Sequence, residues 1–149
     1  MRRELAYYFL FATAVACGLL GALAVGWALL PRPEYILAGA VADFPAQPAG
    51  PYVIDTDRAR LFVVNSGQEL IVLDGRSTTT NTRCTLKWVP VNQRFEDPCC
   101  GSKFTLDGTY ITGRAVRNMD RYAVKIENGQ VWVELSRSTP GAPRPADIP

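Results

Sequence analysis

The sequence predicts an all-β, antiparallel sandwich domain carried behind a single N-terminal transmembrane α-helix. Three observations predict it. Residues 5–30 contain no charged side chain. Asn128-Gly129 joins two apolar runs, Tyr122–Ile126 and Val131–Leu135, and Asn-Gly is the strongest two-residue hairpin signal. Beyond the first apolar stretch, no segment of useful length carries the 3.6-residue amphipathic period that would argue for helices.

Residues 1–4 precede the expected span, residues 5–30 form it, and residues 31–34, with Pro31-Arg32-Pro33, make a short stiff linker. At about 1.5 Å per residue the apolar stretch exceeds the hydrocarbon core of a bilayer and allows some tilt. Tyr7 and Tyr8 sit near one end and Trp27 near the other, as interfacial anchors do. A cleavable signal peptide would have a shorter apolar region, and no small-x-small cleavage pattern precedes Pro31. A lipoprotein reading through Cys17 is weaker, because Ala14-Val15-Ala16 lacks a large aliphatic residue and the apolar run continues beyond it. Arg2 and Arg3 place the N-terminus in the cytoplasm, against the opposing Arg32, and so put the C-terminal domain on the periplasmic or extracellular face. Ala14, Gly18, Ala22 and Gly26 recur at every fourth position and give one face where a second helix can approach closely.

After the linker, Tyr35–Val41, Leu61–Asn65 and Leu70–Leu73 read as short strands, the last two joined through Asn65-Ser66-Gly67. Ser77–Thr82 is a polar loop. Residues 136–149, rich in Pro and polar side chains, read as a disordered or extended tail behind a domain of residues 35–135. Charge is nearly balanced, with Lys+Arg 16 against Asp+Glu 14, and nothing suggests a nucleic-acid partner. No P-loop or dinucleotide fingerprint is present, and with no histidine in the chain a serine-type triad lacks its base. The expectation is a protein that is not an enzyme and takes no small-molecule substrate.

The segments Cys84-Thr85-Leu86-Lys87-Trp88, Pro98-Cys99-Cys100-Gly101-Ser102-Lys103-Phe104, Leu106-Asp107-Gly108 and Met119-Asp120-Arg121-Tyr122 resemble a Rieske iron–sulfur domain of the cytochrome bc/bf type. A Rieske cluster binds one iron through two histidines and the other through two cysteines. The family carries C-T-H-x-G-C in a first box and C-P-C-H-G-S in a second. Anchored on Trp88 and Pro98-Cys99, the resemblance puts the four ligand positions at Thr79, Asn81, Asp97 and Cys100. Only Cys100 offers a thiolate there, which implies a domain that has lost its cluster ligands. Starting the first box at Cys84 instead puts Leu86 in a histidine slot and fails equally.

The same resemblance implies a disulfide between Cys84 and Cys99, the family's non-ligand pair. It also aligns Gly113-Arg114-Ala115-Val116-Arg117 with the family's Pro-rich cover loop, here without prolines. Ser102 is expected to be a turn residue only, and Cys100 a small buried apolar filler. Arg83, Arg114 and Arg117 are expected near Asp97, either as a docking patch or in salt bridges. Arg2-Arg3-Glu4-Leu5 is similar to a twin-arginine export signal.

These readings give a non-catalytic accessory or structural subunit of a membrane-bound electron-transfer complex, respiratory or photosynthetic. It would carry no cofactor and no metal, and its partners would be the integral membrane subunits. The alternative is a membrane-anchored thiol–disulfide or metal-handling protein using Cys84, Cys99 and Cys100; adjacent Cys99 and Cys100 argue against a zinc site, since neighbours rarely both reach one metal. A third reading is a small-ligand binder using the emptied cluster pocket.

Overall fold

The structure, a computed structural model, describes residues 13, 15–21, 25–27, 33–46, 50–80 and 84–146. The chain divides into two units, Met1–Arg32 and Pro33–Pro149. In the first unit residues 15–21 and 25–27 are helical. Among the described residues no helix is long and apolar enough to cross a membrane. Much of the expected span at 5–30 lies outside the described residues, as do Ala14 and Ala22 of the small-residue stripe. Gly18 and Gly26 are described, with open space where a Cβ would stand.

The described strands of the second unit all pair antiparallel, with short 3-10 turns at Val41–Asp43 and Pro90–Asn92. Its strands are β1 (Tyr35–Ala40), β2 (Tyr52–Asp55), β3 (Arg60–Asn65), β4 (Leu70–Asp74), β5 (Lys87–Val89), β6 (Arg94–Glu96), β7 (Lys103–Phe104), β8 (Tyr110–Thr112), β9 (Arg121–Glu127) and β10 (Gln130–Thr139). They form a six-stranded sheet in the order β1-β10-β9-β4-β3-β2 and a four-stranded sheet in the order β5-β6-β7-β8.

The period-2 geometry of strands explains why β3 and β4 are apolar without alternation. Phe62 and Val64 of β3, with Ile71 and Leu73 of β4, point toward the small sheet and pack with Leu86, Phe95, Phe104, Ala115 and Met119. Leu61, Val63 and Val72 point the other way and pack with Tyr122, Val131, Val133 and Phe44. Both faces are therefore core. An aromatic contact joins the two sheets: Phe62 of β3 lies 4.8 Å from Phe95 of β6, and Phe95 lies edge on, at 5.0 Å, to its neighbour Trp88 in the small sheet. Burying each such ring stabilises by about 2–3 kcal/mol, so this seam fixes the small sheet and the loops it carries.

The Asn-Gly hairpin between β9 and β10 forms as expected. Asn128 and Gly129 have φ of 51° and 73°, the positive pair that a turn matching the strand twist requires. Beyond it the chain departs from the expected tail boundary at residue 136. The pairing of β10 with β9 shifts register between Val133 and Ser138, then resumes at Ser138–Tyr122 and Thr139–Arg121. That irregularity lets a polar segment stay in the sheet where composition suggested a tail. Residues 140–146 then turn back along the β8–β9 loop: the Asn118 N–H donates to Ala142 O at 2.9 Å, and the Arg144 N–H to Val116 O at 3.1 Å. The expected tail is extended and tied down along this stretch.

Candidate functional site

Three loops converge at one end of the small sheet. The first runs from β4 to β5, the second from β6 to β7, and the third from β8 to β9. The first is rooted by a buried carboxylate that ends β4. Asp74 is 1% exposed and accepts from the Arg76 N–H at 2.9 Å and the Tyr122 hydroxyl at 3.0 Å. Burial and the neighbouring Asp74 charge push the Tyr122 hydroxyl up to about 12, so it remains a donor at all relevant pH. Nothing local in the sequence signals that Tyr122, far along the chain, bonds to this carboxylate.

The second loop centres on Asp97, 2% exposed. Its Oδ1 accepts from the Cys99 N–H at 2.8 Å, and its Oδ2 accepts from the Cys100 thiol at 2.7 Å and from the Ser77 hydroxyl. Burial alone raises this carboxyl, but the donors from Cys100, Ser77 and the Cys99 and Cys100 backbone outweigh it and hold the group below the ordinary aspartate range. Thr79 Oγ1 lies 3.2 Å from Cys100 Sγ and 3.5 Å from Ser102 Oγ. The three described ligand positions, Thr79, Asp97 and Cys100, are thus brought together as one hydrogen-bonded cluster. Asn81 lies outside the described residues.

Cys84 and Cys99 are joined by a disulfide with a Cα–Cα distance of 6.3 Å, within the usual range, clamping the first loop to the second. Cys100 is a free thiol and half-buried. It is not the apolar filler expected: it donates to a carboxylate. Ser102 is likewise more than a turn residue. Fully buried, its Oγ accepts from the Ala115 N–H at 2.9 Å and so holds the third loop.

That loop needs glycine at 113. Gly113 has φ +107°, and a Cβ there would stand 2.4 Å from Ser102 Cα. Gly113→Ala should therefore lower stability by about 2–3 kcal/mol, since strain and backbone overlap add; a melting curve matching wild type would contradict the close approach. Arg117, expected near Asp97, instead pairs with Asp120 at 2.8 Å. Arg114 is exposed and lines the site with Arg144, which stands in the segment whose composition reads as a tail.

A Rieske cluster does not fit these residues. The chain has no histidine, two of its four cysteines are consumed in the disulfide, and the ligand positions bond to one another.

No family model matches the chain. It is 29% identical over 101 residues to the cytochrome b6-f complex iron-sulfur subunit of Chlorobaculum tepidum, covering 68% of this chain and 54% of the relative. It is 32% identical over 60 residues to the cytochrome b6-f complex iron-sulfur subunit 2 of Trichormus variabilis, covering 40% of this chain and 34% of that one. The chain thus spans about half the length, or less, of these curated relatives. Among solved structures, the cyanobacterial plasma membrane Rieske protein of Synechocystis superposes with a TM-score of 0.50 at 26% identity, over 66% of this chain and 98% of that one. A chain of the oxygenase–ferredoxin complex of carbazole 1,9a-dioxygenase matches at a TM-score of 0.50 and 16% identity, a likeness of fold alone, over 69% of this chain and 94% of that one.

The unit from Pro33 onward has a Rieske-like fold. Within that fold the chain is similar to iron–sulfur subunits of cytochrome b6-f complexes, with other residues in the ligand positions.

Proposed function

We propose that the chain is a non-catalytic accessory subunit of a membrane-bound electron-transfer complex. It is anchored by one helix formed by residues 5–30, with a cluster-free Rieske-like domain on the outer face. One observation carries the reading: the ligand positions hold a self-satisfied Thr79–Cys100–Asp97 cluster while the Cys84–Cys99 clamp remains. A site whose polar groups satisfy each other gains rigidity and leaves no donor set for iron. The relatives' names supply the kind of complex, which makes that part an inference by analogy. An electron shuttle needs a mobile domain with an exposed tip; a structural subunit gains from a fixed dock.

The test isolates the complex from native membranes without dissociating it, then assays this chain for iron and acid-labile sulfide. The expected result is co-purification with cytochrome subunits and blank iron and sulfide in this chain. Deleting the gene should then cost complex integrity while electron transfer in the surviving complex persists. A rhombic Rieske electron paramagnetic resonance signal assigned to this chain would overturn the proposal.

A second reading has its own support. Ligand atoms of Cys84, Asp97 and Cys99 lie within 4.8 Å of one another, so disulfide reduction would leave a metal-capable group. Tight zinc uptake by the reduced chain, lost in Cys84→Ser, would favour metal handling.

A further inference from the structure

Above the replaced ligand positions lies an open recess of about 500 Å³. Thr79, Thr80 and Cys100 line it together with Arg114 and Arg144. Among the described lining residues the charged ones are both arginines and none is a carboxylate. Asp97 lies behind it, buried, with its oxygens engaged by Ser77, Cys99 and Cys100.

The two arginines arrive differently. Arg114 stands on the third loop beside Gly113, exposed and in no ion pair among the described residues. Arg144 is delivered by the returning C-terminal segment, whose backbone is fixed to Val116 and Asn118. Its Nη1 lies 3.4 Å from Gly113 O, which draws the guanidinium to the same rim.

We infer that this recess binds a small multivalent oxyanion, a phosphate or a compact di- or tricarboxylate. Guanidinium forks match the planar oxygens of such groups two at a time. The recess suits a compact anion, which reaches both arginines at once; a flat acidic surface would meet mainly Arg114. The segment that holds Arg144 thus has a role besides covering the third loop. The inference does not rest on the accessory-subunit reading, since the recess exists whether or not the chain joins a complex.

The experiment is isothermal titration of the full-length protein in an uncharged detergent, with inorganic phosphate and then citrate at constant ionic strength set by chloride. Saturable one-site binding of at least one anion is expected. Arg114→Gln should weaken it about tenfold, the equivalent of one lost charged contact, and leave the anion-free melting temperature unchanged. Arg144→Gln should weaken it similarly, whereas Arg58→Gln, in the β2–β3 turn, should bind as wild type. No saturable heat with either anion, or binding undiminished in the Arg114→Gln/Arg144→Gln double variant, overturns the site. Competition of phosphate by phosphatidylglycerol added to the micelles would assign the recess to a lipid headgroup and overturn the free-anion reading.

Discussion

Replacing Cys84 by Ala should lower the stability of the β domain by about 2–5 kcal/mol, the usual cost of losing a native disulfide in a small domain. The bond closes a loop with a sequence separation of 15. In the chain-entropy account a loop of that size is worth about 3 kcal/mol. The location adds to this. Among the described residues the backbone bonds of the first loop lie mostly at its base: the Ser77 N–H donates to Cys84 O at 2.8 Å and the Leu86 N–H to Gly75 O at 2.7 Å, with a longer bond from the Val116 N–H to Thr78 O at 3.4 Å. Freed from Cys99, this loop would release Thr79 from Cys100 and open the clustered site. Cys99→Ala should cost about the same, and the double variant no more than either alone, because one constraint is removed once. Denaturant unfolding of the three variants and of reduced wild type checks this. A reduced wild type as stable as the oxidised protein would mean that packing alone holds the loops.

Much of the fold was legible in the sequence, for reasons specific to each element. β3, β4, β9 and β10 carry runs long enough for apolar patterning to register, and Asn128-Gly129 names its own turn. β2 and β5–β8 were not legible. The strands of the small sheet are two or three residues long, shorter than any periodic signal, and their order comes from packing around Phe95 and Phe104. The clamp and the ligand positions were reached through a resemblance, since spacing alone cannot pair four cysteines. Three features stayed hidden because they depend on contacts between distant positions: the Asp74–Tyr122 bond, the return of residues 140–146, and Arg144 at the recess. Composition marked that last segment as tail; the backbone groups of Val116 and Asn118 gave it a partner.

Asp97→Ala should be the most costly single change within the site, lowering stability by about 2–4 kcal/mol. Truncation leaves the Ser77 hydroxyl, the Cys99 N–H and the Cys100 thiol without their acceptor, and each orphaned buried donor costs about 1–3 kcal/mol where water cannot replace it. Cys99 is exposed and Cys100 half-buried, so water relieves part of that cost and the upper figure is a ceiling. Asp97→Asn separates charge from shape: the amide keeps one acceptor oxygen but turns an N–H₂ toward the Cys100 and Ser77 donors or toward the Cys99 N–H. It should fall between wild type and the Ala variant at neutral pH. The pH dependence follows from the depressed carboxyl. Its folded value lies below the ordinary 3.8, so its contribution is complete above the unfolded value and is lost as pH falls through the folded one. The stability gap between wild type and Asp97→Asn should therefore be constant from neutral pH to about pH 5 and narrow below about pH 4. A gap that stays constant through acid would show that the site binds the shape of the side chain and not its charge. The clustered replacement for the iron ligands would then be a packing solution, with the Cys84–Cys99 clamp as its main support.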